Sequence, residues 1–192
     1  MDDLPLPPAC LAVIERDTNA AGFAMPSEHR TGALLRLLAA SRPGGRMLEL
    51  GTGTGLGTAW LLDGMDRAAH LTSVDPDAAV QAIARRHLGD DPRLNLVTGP
   101  AEDWLPRASP GSFDLIFADA LVGKYERFDE AFRLLRIGGL YVADDMLPQT
   151  NWPDGHGQRV AALLVALDGR ADARVVRLAW ASGLVLVVRT DP

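Results

Sequence analysis

The sequence predicts an α/β fold with a seven-stranded, mostly parallel sheet, helices on both faces, an N-terminal helical extension and a C-terminal antiparallel hairpin. Three observations lead to this prediction. Short apolar runs alternate with helical patterns along most of the chain. A Gly-rich turn at 51–57 joins the first apolar run to a helical pattern. Near the C-terminus, Ser182-Gly183 separates two runs rich in β-branched residues, which indicates a hairpin.

Composition limits the classes of protein that the chain can belong to. With 192 residues, 47% of them apolar, the chain predicts a single domain over 1–192, with an N-terminal helical arm at 1–44 and an α/β core at 45–192. The net charge of −6, without basic clusters, argues against a nucleic-acid partner. A single cysteine, Cys10, excludes an intramolecular disulfide and a cysteine-based zinc site. The chain shows no signal peptide or membrane span, so we expect a cytoplasmic protein without a membrane partner.

The elements follow from hydrophobic periodicity and from the residues that interrupt it. An irregular arm is expected at 1–8 and a loop at 146–155. Strands are predicted at 47–50, 70–74, 94–98, 113–118, 140–143, 174–179 and 184–189. Helices are predicted at 9–18, at 27–40 with Ser27 as N-cap, over 125–135 and at 157–167. Another helix is expected to begin at 59, a further one to end at 88, and a short helical turn to lie around 104.

The Gly-rich turn has the composition of a ligand cradle. Glycines occupy alternate positions, at Gly51, Gly53, Gly55 and Gly57, between a buried strand and a helix. Residues without side chains let backbone N–H groups approach a bound molecule, and the helix N-terminus adds positive potential.

The spacing argues against a dinucleotide. A G-x-G-x-x-G fingerprint that begins at Gly51 or Gly53 would need glycine where the chain has Leu56 or Thr58. Glu49, two residues before the first glycine, would repel a pyrophosphate and suits a ligand with an ammonium group. A nicotinamide nucleotide, or a turn without a ligand, is the alternative. A Glu49 turned into the interior would count against the ammonium interpretation.

Acidic residues end three of the predicted strands. Asp75 follows the second strand, where an acid can accept hydrogen bonds from ribose hydroxyls, or can cap the next helix. Asp119 follows the fourth strand, and Asp144 and Asp145 follow the fifth. If those strands are neighbours, the three carboxylates converge and suit Mg²⁺, Ca²⁺ or Mn²⁺. Alternatively, Asp119 caps the next segment and the Asp144-Asp145 pair lies in a solvated loop.

The pattern Glu-x-Gly-x-Gly-x-Gly at 49–55 resembles motif I of the class I S-adenosylmethionine-dependent methyltransferases. From Met25 to Arg189 the chain is similar to the metal-dependent O-methyltransferases related to caffeoyl-CoA and catechol O-methyltransferases, with a Rossmann-like domain. The shared segments, in the family's order, are Met25-Pro26-Ser27, 49–57, Asp75, 99–101, 117–120, Gly138-Gly139 and Asp144-Asp145.

The resemblance implies S-adenosylmethionine as cofactor, a divalent cation and a homodimer. It implies that Asp119, Asp144 and Asp145 hold the metal. The residues expected at the cofactor are Met25, Ser27, Glu49, Gly51, Thr52, Gly53, Gly57, Asp75, Pro76, Ala101, Glu102 and Asp119.

Two departures from the family bear on catalysis. Asp-Asp stands at 144–145 where the family has Asp-Asn, and Val122 replaces the family's lysine, which is the expected base for the acceptor hydroxyl. Lys124, together with Asp119, is the replacement that we expect in the catalytic role, and His156 is a weaker candidate. Without a base, the metal alone would lower the pKa of the hydroxyl.

The sequence thus predicts a methyltransferase that acts on the oxygen of a small hydroxylated, catechol-like acceptor. One alternative is methylation of nitrogen or of a nucleic acid, although an Asn-Pro-Pro-aromatic motif is missing after the fourth strand. The other is a module that binds the cofactor without catalysis, which the loss of lysine at position 122 leaves open.

Overall fold

The structure is a computed structural model that describes residues 5–150 and 152–191. The predicted irregular arm therefore lies partly outside the described residues, as does position 151 of the predicted loop. The sheet consists of β1 (Arg46–Leu50), β2 (His70–Asp75), β3 (Leu94–Thr98), β4 (Phe113–Ala118), β5 (Leu135–Ala143), β6 (Ala173–Leu178) and β7 (Leu184–Arg189).

The strand order is β3-β2-β1-β4-β5-β7-β6, in which β1 to β5 are parallel and β7 is antiparallel to both of its neighbours. The predicted seven-stranded sheet and its closing hairpin are confirmed. Because β1 pairs with both β2 and β4, the chain leaves β1 toward one side of the sheet and later returns on the other. Such a switch point opens a crevice at the carboxyl ends of the strands.

Helices cover both faces of the sheet, as predicted. They are α1 (Leu11–Ala20), α2 (His29–Ala40), α3 (Leu56–Gly64), α4 (Ala78–Leu88), α5 (Ala101–Trp104), α6 (Phe128–Phe132) and α7 (His156–Asp168), with a 3-10 turn at Leu105–Arg107 after α5. Among the helices of the described chain, none combines the length and the apolar character that crossing a bilayer requires.

Alternating side chains of the buried strands divide the core between the two faces. In β4, Leu115 and Phe117 join the core under α1 to α4, whereas Ile116 and Ala118 join the core under α5 to α7. Each face of the sheet is therefore covered by its own helical layer.

The segment after β4 differs from the prediction. The helix expected over 125–135 is limited to α6, and Leu135 already begins β5, which runs through Gly138. Leu135 pairs with Phe113, and the register shifts between Phe113 and Leu115 before regular pairing resumes at Leu140. Leu135 lies on an apparent helical face but pairs with a neighbouring strand, because tertiary pairing overrides local periodicity.

The N-cap predicted for α2 is wrong, and the alternative role of Asp75 as a helix cap is excluded. Helix α2 begins at His29 after Glu28, so Ser27 lies outside the helix and its hydroxyl donates to Asp119 instead. Helix α4 is capped by Asp77, whose carboxylate accepts the N–H groups of the next turn. Asp75 therefore does not cap helix α4.

Helices α2 and α3 pack at very short range. A Cβ atom added to Gly32 of α2 would lie 2.2 Å from the ring of Trp60, which is buried in α3. The guanidinium of Arg36, one turn further along α2, lies 5.3 Å from the centre of the Trp60 ring. The absence of a side chain at position 32 sets this helix separation.

We expect the Gly32→Ala variant to lose about 1–3 kcal/mol of unfolding free energy, because overpacking forces rigid groups apart. Gly157→Ala is the matched control, since its Cβ would meet only Trp152 at 3.8 Å. Alanine in a helix is intrinsically favourable, so the control should be as stable as the wild type or slightly more stable. Urea unfolding measures both variants, and equal losses would contradict the packing explanation.

Candidate functional site

The Gly-rich turn between β1 and α3 requires its glycines. Gly51, Gly53 and Gly55 have φ angles of +100°, +53° and +96°, a region that other residues rarely adopt. A Cβ at Gly51 would also lie 2.6 Å from the backbone oxygen of Asp119. The turn therefore brings bare backbone to the end of β4, as a ligand cradle requires.

Asp75, at the end of β2, holds this turn. One oxygen of its carboxylate accepts the N–H of Gly53 at 2.7 Å, and the other accepts the N–H of Asp77 at 2.8 Å. Asp75 is largely buried. Its carboxylate is consequently fixed in orientation at the edge of the turn.

Glu49 lies beneath the turn rather than in it, which corrects the prediction that its carboxylate faces an open ligand site. It is completely buried, and its Oε2 atom accepts hydrogen bonds from the hydroxyls of Thr58 and Ser73, both at 2.5 Å. Within the described chain, its Oε1 atom has no hydrogen-bond partner. A Cβ at Gly57 would come within 2.8 Å of Oε1, so glycine is needed there to accommodate the acid.

The interior position changes the ionisation of Glu49. Burial disfavours the charged form and raises the pKa of its carboxyl to about 8, against the opposing effect of the Ser73 and Thr58 hydroxyls. The charges of Asp119 and Asp75 add to the rise. The acid is therefore largely neutral at pH 7, which differs from the ammonium-binding carboxylate expected from the sequence.

Hydrogen bonds extend from Glu49 across the sheet. The Ser73 hydroxyl lies 2.6 Å from that of Thr52, and Thr52 in turn accepts from the side-chain amide of Gln81 in α4 at 3.1 Å. Gln81 also donates to the backbone oxygen of Val97 in β3. This buried chain connects the turn to β2, β3 and α4 below it.

A cavity of about 430 Å³ opens above the turn. Many of the predicted site residues line it: Met25, Ser27, Gly51, Thr52, Gly53, Asp75, Pro76, Asp119, Lys124 and Asp145. Its wall also contains residues that we did not predict for the site, among them Phe23, Leu56, Val80, Leu121 and Pro153. These residues come from five separate segments, and no local pattern marks them.

Four residues predicted at the cofactor do not line this cavity. They are Glu49, Gly57, Ala101 and Glu102. Ala101 is packed in the apolar core at the start of α5, and the side chain of Glu102 is half-buried on the same short helix.

A second cavity, of about 260 Å³, adjoins the first. Ser27, Asp119, Asp145 and His156 belong to both walls. The wall of the smaller cavity is completed by Asp144, Gln149, Trp152 and Ser182, among others. The two spaces therefore meet at the carboxyl ends of β4 and β5.

The acidic residues there are neighbours, as the strand order predicts, but the carboxylates of Asp119 and Asp144 are occupied by protein donors. Asp119 accepts the hydroxyl of Ser27 at 3.1 Å. Asp144 accepts the hydroxyl of Ser182 at 2.5 Å and the N–H of Asp145 at 2.8 Å. Burial raises the pKa of Asp144 to about 7. Burial also raises the pKa of Asp119, and the charge of Lys124 opposes that rise.

The predicted metal ligands do not fit a metal in this arrangement. Over residues 5–150 and 152–191, no three His, Cys, Asp or Glu side chains are grouped so that they could hold an ion. The Asp144 carboxylate is turned toward Ser182, and Asp145 has a left-handed backbone with φ +57°. The sequence predicted that the three acids would converge if β4 and β5 were neighbours, but not that Ser27 and Ser182 would occupy two of them.

Two further candidates for chemistry differ in their surroundings. Lys124 is buried, and its Nζ atom donates to the backbone oxygen of Asp144 at 2.9 Å. His156 begins α7, and its Nε2 atom lies 3.1 Å from the hydroxyl of Tyr125. Burial, together with the charge of Lys124, lowers the pKa of His156, while burial raises that of Tyr125.

Comparison with known proteins agrees with this site. The family model of a methyltransferase domain matches residues 48–146, which span the turn and the acids at all three strand ends. A protein of Mycobacteroides abscessus, provisionally named an O-methyltransferase, is 34% identical over 178 residues, which cover 85% of this chain and 81% of that protein. The chain belongs to the S-adenosylmethionine-dependent methyltransferase family, as an O-methyltransferase, and the predicted resemblance is confirmed.

Solved structures give the same result. The O-methyltransferase TomG of Streptomyces achromogenes, involved in tomaymycin synthesis and solved with S-adenosylmethionine, has a TM-score of 0.80 at 26% identity over 95% of this chain and 90% of its own. A Bacillus cereus O-methyltransferase solved with S-adenosylhomocysteine has a TM-score of 0.85 at 22% identity, over 98% and 94% of the two chains. The latter similarity bears on the fold alone.

We expect Glu49 to make folding stability dependent on pH. A carboxyl whose pKa is raised by folding stabilises the protein fully below its unfolded pKa, and the benefit disappears as pH rises through the folded pKa. Between pH 5 and 8 the wild type should lose about 2–4 kcal/mol relative to Glu49→Gln, since one pKa unit corresponds to about 1.4 kcal/mol.

Urea unfolding at several pH values checks this expectation. Glu102→Gln is the matched control, because that side chain is only half-buried, and it should follow the wild-type pH dependence. A Glu49→Gln variant whose stability changes with pH as the wild type's does would contradict the interior ionisation described above.

Proposed function

We propose that the protein transfers the methyl group of S-adenosylmethionine to a hydroxyl oxygen of a small acceptor. The observation that supports this best is the pair of adjoining cavities. One contains the glycine turn and Asp75, the other contains Trp152 and Gln149, and both share Asp119, Asp145 and His156. Two adjoining spaces suit a reaction that brings a cofactor and an acceptor together.

The larger cavity suits the cofactor. Its floor is the bare backbone of Gly51 and Gly53, where a Cβ atom would contact Asp119 or Phe23 respectively. Its apolar wall includes Phe23 and Val80. When bound, S-adenosylmethionine supplies an electrophilic methyl group on a positively charged sulfur. Asp75, with its orientation fixed by the turn, would accept the ribose hydroxyls, as predicted from the sequence.

Of the other cofactor-binding predictions, Met25, Ser27, Thr52, Pro76 and Asp119 remain part of the proposal because they line this cavity. The buried Glu49 and Gly57 would instead support the turn from below. Ala101 and Glu102 stay predictions from the resemblance.

The smaller cavity suits the acceptor. At about 260 Å³ it admits only a small molecule, and the aromatic face of Trp152 on its wall supports a flat, hydroxylated ring such as a catechol. The acidic strand ends disfavour a phosphorylated acceptor, since like charges repel at short range.

The acceptor hydroxyl needs a group that takes its proton. The sequence predicted Lys124 for this role, but its Nζ atom is engaged by the backbone oxygen of Asp144. His156 is better placed, since it lies where the two cavities meet and its lowered pKa leaves the imidazole neutral at pH 7. A neutral imidazole can accept a proton, and Tyr125 would orient the ring.

His156 would accept the proton of the acceptor hydroxyl as the oxygen–methyl bond forms and the carbon–sulfur bond of S-adenosylmethionine breaks, which would leave S-adenosylhomocysteine as the second product. Asp119 lies between the two cavities and would contribute to positioning, which retains the catalytic role predicted for it.

The homodimer and the cytoplasmic location stay predictions. The exposed apolar side chains of Leu37 and Trp180 support a self-contact.

We expect Asp75→Asn to weaken the binding of S-adenosylmethionine about tenfold or more, since a charge-assisted hydrogen bond is worth roughly 1.5–3 kcal/mol. Isothermal titration calorimetry measures the affinity. Asp90→Asn, an exposed acid outside the cavity, is the matched control and should bind as the wild type does. Binding of NADH in place of S-adenosylmethionine by the wild type would overturn the proposed function.

We expect His156→Gln to lower kcat about 10²–10⁴-fold, the usual contribution of a general base. Its affinity for S-adenosylmethionine should stay unchanged. The wild-type rate should rise with pH through the lowered pKa of His156 and then level off, and this limb should vanish in the variant. Lys124, Asp145, Arg159 and Tyr125 act on the same imidazole.

Turnover of catechol, followed between pH 5 and 9, measures these effects. Tyr125→Phe is the matched control, because it removes only the hydroxyl that contacts the imidazole. It should keep the pH limb and lose less activity than His156→Gln. A His156→Gln variant with the full wild-type rate would show that another group takes the proton.

A further inference from the structure

Lys124 is a buried cation at the place where the sequence predicted a metal ion. It lies on the loop between β4 and α6, and its residue is only 3% exposed. Its Nζ atom donates to the backbone oxygen of Asp144 at the end of β5, and it lies 5.1 Å from the centre of the Tyr125 ring. The charge therefore sits among the acidic strand ends rather than in solvent.

The loop is shaped so that Lys124 points inward. Gly123, just before it, has a φ angle of +90°, and a Cβ there would lie 2.2 Å from a methyl group of Leu50. The Gly123 oxygen accepts the hydroxyl of Tyr141, which is buried in β5. Because both the φ angle and the close approach require glycine, the inward position of Lys124 is fixed by the backbone.

The three acids lack what a divalent cation needs. Such a cation takes six or more oxygen ligands that point at one spot. Ser27 occupies Asp119, and Ser182 with the Asp145 N–H occupies Asp144. A cation would nevertheless relieve the repulsion among these carboxylates, of which Asp144 is buried and the other two are half-buried. The charge of Lys124 acts on Asp119 in the stabilising direction.

We propose that the Lys124 ammonium is the resident cation of this site and takes the place of the divalent ion that the sequence predicted. The inference rests on the proposed function, because it concerns the same site. It has two consequences. Methyl transfer by this protein requires no divalent cation, and neutralising Lys124 opens the acidic strand ends to one.

Mn²⁺ binding tests the inference without any acceptor. EDTA-treated protein is titrated with Mn²⁺, and free Mn²⁺ is followed by electron paramagnetic resonance. The wild type should bind no Mn²⁺ more tightly than about 1 mM, the weak end for protein cation sites. Lys124→Met should bind at least about tenfold more tightly, since a like charge has been removed from the ion's surroundings. Adding Asp145→Asn should abolish the gain.

Two variants serve as controls. Arg159→Met removes an exposed cation that also acts on His156, and it should bind Mn²⁺ no better than the wild type. Lys124→Arg keeps the charge and should also stay without Mn²⁺ affinity. If Lys124→Met does not fold by circular dichroism, Lys124→Gln takes its place.

The result that overturns the inference is a wild type that binds one Mn²⁺ per chain and loses it in Asp145→Asn. A Lys124→Met variant with no gain in affinity overturns it equally. Methyl transfer by EDTA-treated wild type should stay within about twofold of the untreated rate. A loss of this rate after EDTA treatment that is reversed by adding Mg²⁺ would contradict the inference. Absence of S-adenosylmethionine binding by calorimetry would refute the proposed function alone and leave the Mn²⁺ result interpretable.

Discussion

Carboxylates crowded into one partly dry corner of a protein must be compensated, and this requirement shapes the site. Asp119, Asp144 and Asp145 meet because β4 and β5 are parallel neighbours. Asp144 is buried and the other two are half-buried, so their repulsion is stronger than it would be at the surface. The compensation comes from the Ser27 and Ser182 hydroxyls, from a backbone N–H and from Lys124. Each of these donors is supplied by a segment outside regular strands and helices.

The Gly-rich turn is stabilised differently, because hydrogen bonds from buried side chains hold its bare backbone in place. Asp75 fixes the turn from the side, and Glu49 fixes it from below through Thr58 and Ser73. The buried chain then continues through Thr52 to Gln81. A turn with three left-handed glycines would be mobile by itself. Here its position is set by β1, β2, α3 and α4 together.

The sequence was sufficient for most of the sheet, because buried parallel strands are short apolar runs with clear ends. The strands 94–98, 113–118 and 184–189 have the predicted bounds. The prediction failed where long-range pairing decided the outcome. Leu135 has the spacing of a helix and the partner of a strand, and only the position of Phe113 distinguishes the two.

The site shows a similar limit. The glycines and Asp75 could be predicted because backbone chemistry requires those residue types at those positions. The direction of Glu49 could not, because alternation in a strand buried on both faces does not tell a ligand from an interior hydroxyl. Asp144 and Asp145 follow a strand that the sequence identified, yet Ser182, 38 positions away, decides where the Asp144 carboxylate points.

The position of Ser182 in the turn before β7 has a consequence for how the protein matures. Strand β7 is inserted between β5 and β6, so the sheet is completed only when the last of its strands in chain order takes its place. Until that strand pairs with β5, Asp144 lacks its hydroxyl partner and the smaller cavity lacks part of its wall. A nascent chain can thus form the glycine turn early, but it acquires the finished wall of the smaller cavity only after β7 has been synthesised.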